Sequence, residues 1–459
     1  MSKSSTKYQN DKHFFGCNFA PDFLYLREFL ALWDLNSGIY AFCRANFITK
    51  MIFLIDCGSV YRHSAMQRNI TRVNLMKLRN KLAASVVVLG LGSTMAVAEG
   101  LERVNLDTSF LYEIGTFAEV SMGNVNPSIP ATWTGKTETG KAAGSSDNVA
   151  KSFSVSNFAA KTQIGDGVDI GVWSTNNAAG VALDWGSVVD VKADLTVSAL
   201  AGLLRYSISE NFSIIGGLKR YSSDSGASVT TAIHPTKTGI VTSTYTIGSG
   251  STTVGVYGVA YERPDIAMRL EILSEGAGTL KVDADYSNIY SNGATPPVLT
   301  PTTGTGKAKI GLGDAVTVKF QTGIAPGTLL FGSLRHSKWA DNQVVVPTKS
   351  SGLQTLSTFG DGQSYTIGLG RKFSDTLSGS ISTFYDPASD CNNSSALSPT
   401  CENRSISLGA KVAIAENMNL SIGTTWSRRG TAKATTMAGT ATTSKSVVSS
   451  IGAKLSYSF

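Results

Sequence analysis

Charge, histidine, cysteine and long apolar runs are all scarce in this chain of 459 residues. No run reaches 18 consecutive apolar residues, which excludes the usual helical membrane span. Four His and five Cys leave little material for a metalloenzyme, and no cofactor is expected. Only 16% of residues are charged, and the net charge of +7 would suggest a nucleic-acid partner. That charge is confined to the front. Residues 1–98 hold 12 Lys/Arg and 5 Asp/Glu, whereas residues 99–459 hold 28 of each. A basic segment outside the main body of the chain is no electrostatic footprint for nucleic acid.

The front of the chain explains its own charge. Residues 76–98 read MKLRNKLAASVVVLGLGSTMAVA. Lys77, Arg79 and Lys81 form a positive region, Leu82 to Leu91 an apolar core, and Ala96-Val97-Ala98 a small-residue cleavage site before Glu99. This order is that of a secretory signal peptide. Met76 is internal, however, and residues 1–75 are rich in aromatics (13, or 17%) without strand or helix periodicity. The expectation is a spurious or unstructured extension over 1–75, a signal peptide over 76–98, and a mature chain from Glu99.

The mature chain is Gly-, Ser- and Thr-rich and alternates apolar with polar residues, as half-buried strands do. Val191, Ala193, Leu195, Val197, Ala199, Ala201 and Leu203 share one face. Fourteen strands are predicted, over 117–125, 152–164, 168–174, 190–206, 212–221, 252–261, 266–274, 315–323, 328–338, 364–373, 377–385, 404–414, 418–426 and 447–459. Tight turns such as Gly165-Asp166-Gly167, Ser209-Glu210-Asn211 and Ala415-Glu416-Asn417 alternate with connections mostly 15 to 40 residues long. Alternating short turns and long loops around an even strand number is the pattern of an outer-membrane barrel. The fold class is therefore all-β, a 14-stranded antiparallel transmembrane β-barrel. Ala453, Leu455, Tyr457 and Phe459 close the chain in alternation, and Phe459 is read as the signal to the barrel-assembly machinery. Trp173, Trp339 and Trp426 are expected in an interfacial aromatic girdle. Charges facing lipid are costly, so Lys192, Asp194, Lys219, Arg269, Glu271, Lys319, Lys411 and Lys454 are expected to point inward.

Cys391 and Cys401 fall in one long connection. Export makes a disulfide the default, with free thiols or a metal pair as competing readings and no His nearby for the latter. Gly304-Thr305-Gly306-Lys307 fails as a phosphate loop, because Pro301 and Ala308 occupy required positions. Gly368-Leu369-Gly370 lacks the rest of a dinucleotide fingerprint. His336 with Ser333 or Ser337 could seed a hydrolase, but no spacing fixes a triad, and the chain is read as a non-enzyme with no catalytic residues.

Gly100-Leu101-Glu102-Arg103, followed by Ser109 to Ser121 (SFLYEIGTFAEVS), resembles the mature start of the long-chain fatty-acid outer-membrane transporter family (FadL/TodX type). Tyr257 to Ala267 (YGVAYERPDIA), Gln321 to Leu329 (QTGIAPGTL) and Trp339-Ala340-Asp341 are similar to the same family. The likeness runs from about Gly100 to Phe459. It implies a short N-terminal hatch in the lumen over 99–115, a barrel over 116–459, and a place in the outer membrane of a Gram-negative bacterium. It further implies passive, hatch-gated passage of long-chain fatty acids or other hydrophobic small molecules, with lateral exit through a gap in the wall. A kink near Gly171 in the third strand would be that gap. The family's Asn-Pro-Ala hatch signature is absent; Asn126-Pro127-Ser128 is expected in a loop after the first strand.

An acyl chain gains about 0.8 kcal/mol per buried CH₂, so an apolar path captures it without chemistry. Phe110, Leu111 and Tyr112 are the apolar candidates, and Lys219, Arg269 and Lys319 the candidate partners of a carboxylate head. The surrounding partners would be outer-membrane lipid and lipopolysaccharide. The alternatives are a general diffusion porin, or a structural or adhesive barrel carrying the Ser/Thr-rich loops 222–251 and 276–314.

Overall fold

A computed structural model of the protein describes residues 100–459 apart from 134–142, 187–190, 233–237, 348–351, 388–389 and 437–438. The expected extension, the signal peptide and the Ala98/Glu99 junction lie outside the described residues. Fourteen strands form the wall: β1 (Phe117–Ser128), β2 (Phe153–Gly165), β3 (Val168–Asp184), β4 (Lys192–Ser207), β5 (Phe212–Ser223), β6 (Gly250–Arg263), β7 (Met268–Glu275), β8 (Asp314–Ala325), β9 (Thr328–Lys338), β10 (Gly362–Lys372), β11 (Leu377–Asp386), β12 (Cys401–Ala415), β13 (Met418–Gly430) and β14 (Ser446–Ser458). Each overlaps one predicted strand. Neighbours in sequence pair antiparallel, and β14 closes on β1 from Phe117↔Ser458 to Ser128↔Val447. Closure pairs the wall strands with a neighbour on each side, as backbone crossing lipid requires, and β2 and β3 part beyond Asn157↔Thr175.

The outward rows carry the apolar side chains. Met122, Leu218, Tyr257, Ile367, Ile422 and Ile451 are each at least half exposed, on strands all round the wall. A continuous apolar belt of this kind is unstable in water and stable against lipid.

Several sequence expectations change. The row Val191 to Leu203 on β4 is buried and faces the lumen, whereas Lys192 and Asp194 are exposed and outward, paired with Asp184 and Lys151. The inversion has a physical cause: the inward row joins the buried apolar cluster that also holds Leu101, Phe110 and Leu111, so it is apolar there. The outward row becomes apolar only from Leu200 onward, at Leu204 and Tyr206. Trp173 and Trp339 are buried rather than interfacial; Trp339 stands edge-on to Phe359 at 5.9 Å. Trp426 alone of the three points outward, 46% exposed.

Asn126-Pro127-Ser128 belongs to β1, not to a loop. Pairing with β2 stops at Val125↔Phe153, so Pro127 sits where no partner needs its missing N–H on that side. Strand β3 runs ten residues past its predicted end. It is regularly paired at Gly171, and its irregularity lies between Thr175 and Ala179. The Asn-rich sequence there hides the strand, which pairing with β4 from Ala179↔Val197 to Asp184↔Lys192 carries on.

The Ser/Thr-rich loops 222–251 and 276–314 hold further strands. Ala227–Ala232 pairs with β4 and with Thr238–Ile247, which in turn pairs with the hairpin Gly278–Asn292/Leu299–Leu312. Segments from the connections after β1, β11 and β13 form a separate five-stranded sheet. Lys307, from the rejected phosphate loop, lies in the hairpin and pairs with Asp283.

Candidate functional site: the N-terminal segment and the lumenal cavity

Residues 101–112 lie against the inward rows of the wall. The contact starts at the β3 irregularity, where the N–H groups of Arg103 and Val104 donate to Ala178 O, and Gly180 N–H donates to Leu101 O. Arg103 Nη1 also donates to Asn177 Oδ1 at 2.8 Å. The segment thus satisfies backbone groups on the edge of β3 that β2 leaves open beyond Asn157↔Thr175, through a bridge of Glu102 with Ala179. Farther on, the 3₁₀ turn Ser109–Tyr112 drives Phe110 and Leu111 against the wall. Gly171 makes room: a Cβ there would lie 2.6 Å from both side chains.

Two ionic clusters fasten the segment. In the first, Arg335 donates to Glu102 through Nε (3.1 Å) and Nη2, and through Nη1 to Glu275 (2.9 Å) and Thr317 (2.7 Å). Lys219 completes it, 1% exposed, with Nζ 2.7 Å from Glu275. In the second, Glu271 accepts from Thr108 Oγ1 at 2.5 Å and from the Tyr112 hydroxyl at 2.7 Å. Lys319 Nζ lies 3.4 Å from Glu271 and 3.8 Å from Asp107. The guanidinium groups of Arg205 and Arg269 lie 4.5 and 4.0 Å from the centre of the Tyr112 ring. Charge-assisted bonds in a low-dielectric interior are the strong ones, and here each carboxylate meets a cation.

A cavity of about 170 Å³ remains between Asn105–Ser109 and the inward rows of β7 to β14. Its apolar surface includes Leu106, Phe331 and Phe384, and its polar surface is mainly Ser and Thr.

The sequence-derived candidates separate on this geometry. Arg269 and Lys319 line the cavity. Lys219 does not; it is buried in the first cluster. Phe110 and Leu111 are buried between segment and wall, and Tyr112 is engaged with Glu271. Sequence reasoning missed Glu102, Glu275 and Arg335. For Glu275 and Arg335 the signal was present, as charges at inward parity on their strands; Glu102 lies in the segment, outside any strand. Lys454 does point inward, onto Glu119 at 3.0 Å. His336 lies on the opposite strand face from Ser333 and Ser337, so these residues do not form a triad. Cys391 and Cys401 are disulfide-bonded, with Cα atoms 5.2 Å apart. Among the described residues no His/Cys/Asp/Glu group could hold a metal ion.

No protein-family model matches the chain, and no curated protein matches it. Solved structures do. A Pseudomonas aeruginosa FadL homologue aligns over 82% of this chain and 99% of its own, with a TM-score of 0.62 and 13% identity. The P. putida toluene transporter TodX aligns over 81% and 99%, at 0.59 and 11%. The CymD monoaromatic hydrocarbon channel aligns over 83% and 97%, at 0.53 and 12%. The closed fourteen-stranded barrel, with its apolar outer belt, has the fold of the FadL-type outer-membrane transporters.

Proposed function

We propose that the protein is an outer-membrane channel for passive entry of hydrophobic compounds, with residues 99–115 as its hatch. The observation that carries this reading is the N-terminal segment. It belongs to no wall strand, yet two ionic clusters and an apolar contact hold it inside the barrel beside a partly apolar cavity. Transport then needs no covalent chemistry: burial of apolar surface draws the ligand in, and displacement of the segment lets it through. The irregular stretch of β3 between Thr175 and Ala179 is the lateral exit in this proposal, opened when Leu101–Val104 withdraws.

The resemblance makes long-chain fatty acids the first ligand to try. A second reading, single-ring hydrocarbons, is favoured by the cavity, whose 170 Å³ is close to the roughly 150 Å³ of an engineered cavity that takes up benzene. Labelled oleate and labelled toluene uptake by cells lacking their own transporter tests both. Saturable uptake of either that changes on deletion of 99–115, with the barrel still folded, supports the proposal. Uptake of neither, with free passage of small sugars, would replace it with a porin.

A further inference from the structure

The outward face of β10 to β13 changes character at its outer end. Leu369, Ile381 and Leu408 form one exposed apolar tier by direct cross-strand pairing. Ile406 and Trp426, paired and exposed, belong to the next. The tier above joins Tyr365, Tyr385, Arg404 and Arg428, each directly opposite the one before. Beyond it β12 and β13 end within three residues, at Cys401 and Gly430, where the long connections begin. This tier therefore stands where the apolar belt gives way to the outer polar surface of the membrane.

Arg404 and Arg428 are both exposed. Like charges directly opposite across a ladder repel. Among the described wall pairings no other sets two cations together. Other cations at this end face acids: Lys192 pairs with Asp184, and Lys338 lies opposite Asp314. Arg404 has one carboxylate, since its Nε donates to Glu402 at 2.7 Å, and its guanidinium lies 5.3 Å from the centre of the Tyr385 ring. Arg428 has no carboxylate partner among the described residues. One acid for two guanidinium groups leaves a surplus positive charge on the lipid side of the wall.

We infer that Arg404 and Arg428 bind a phosphate of an outer-leaflet glycolipid of the lipid A type, on the outside of the barrel. The Cβ atoms of directly opposed residues lie about 4.5–5.5 Å apart, so both guanidinium groups reach the oxygens of one phosphate. Their planar fork fits that group, and the anion removes the repulsion between them. The acyl chains run down over Ile406, Trp426 and the apolar tier below, and these tiers are what a free phosphate ion would leave unused. The site is separate from the lumen and does not rest on the transport reading.

The test uses the full chain, purified in detergent, with native mass spectrometry following bisphosphorylated lipid A, its dephosphorylated form and inorganic phosphate. Lipid A is expected to bind at least tenfold tighter than the dephosphorylated form, the scale of one charged hydrogen bond, and to resist displacement by equimolar phosphate. Arg428→Gln should weaken lipid A about tenfold, and by more than Arg404→Gln, because Arg404 is already shared with Glu402. Glu402→Gln should tighten binding by releasing Arg404. Arg263→Gln, on the turn at the other end of the barrel, should change nothing. Heat-modifiable gel mobility checks folding, and Arg404→Lys/Arg428→Lys, which keeps the charge without the fork, should bind with intermediate affinity. Equal binding of the dephosphorylated form, displacement by equimolar phosphate, or indifference of a folded Arg404→Gln/Arg428→Gln variant would overturn the inference.

Discussion

At the scale of single residues, Gly171 and Arg335 do the most to place the N-terminal segment. A side chain at Gly171 must occupy the space of Phe110 and Leu111. Gly171→Val should cost about 1–3 kcal/mol of segment docking by overpacking. The measurable result is faster tryptic cleavage after Arg103, a residue buried in the native protein. Arg335 ties two carboxylates on different elements, Glu102 of the segment and Glu275 of β7. Arg335→Leu strands Glu102, while Glu275 keeps Lys219, at about 3–5 kcal/mol for a broken buried pair. Hydrogen exchange should then rise at Leu101–Val104 before it rises anywhere in the wall. Arg335→Lys should recover part of the loss, since it keeps the charge without the two-pronged fork. On the turn between β6 and β7, hydrogen bonds from Arg263 hold the Asp265 carboxyl below its usual range. The folded value is depressed, so this contact is present at neutral pH and is lost as pH falls through that value. An NMR titration of Asp265 should show a midpoint below that of an exposed carboxylate, and Arg263→Gln should return it upward.

At the scale of elements, the wall and what fills it are separable. No wall pairing depends on residues 99–115, because β1 starts at Phe117 and closes directly on β14. Deleting 99–115 should leave a heat-modifiable barrel whose single-channel conductance in a planar bilayer rises well above that of the full chain. An unchanged conductance would show that the outer connections, not the segment, close the lumen. Those connections are themselves built. The Cys391–Cys401 bond closes a short loop ahead of β12, and in the chain-entropy model such a loop contributes somewhat under about 3 kcal/mol. Cys391→Ser with Cys401→Ser should therefore raise hydrogen exchange over 394–400 while the amides of β12 stay protected.

At the scale of the whole molecule, the alternation of tight turns and long connections was enough to read out fourteen strands, because each apolar row recurs every second residue and each turn breaks it visibly. Closure followed, since a sheet of amphipathic strands in lipid leaves no edge unsatisfied only when it closes on itself. Less was legible where the lumen is not water. Parity alone assigns polar rows inward, and this holds for β7 and β14 but inverts on β4, whose inward row belongs to the buried apolar cluster that includes Leu101, Phe110 and Leu111. Trp173 is buried in the same cluster, with Lys219 Nζ 5.5 Å from its ring, and so leaves the interface.

The sequence by itself therefore determined the class of structure: an all-β chain whose strand rows, turns and scarcity of charge suit a barrel in lipid. These are local properties, set by period-2 patterning and by the cost of charge against hydrocarbon. Only the tertiary structure decided which face of β4 looks inward, that Lys219 is a buried strut, and that Glu102, Glu275 and Arg335 meet. It alone sets Gly409 and Gly423 in direct register on the cavity wall. Those facts depend on register between strands far apart in the chain and on what a folded-in segment touches. Neither is encoded in the alternation of a single strand, because the same row of side chains is stable against lipid or against protein.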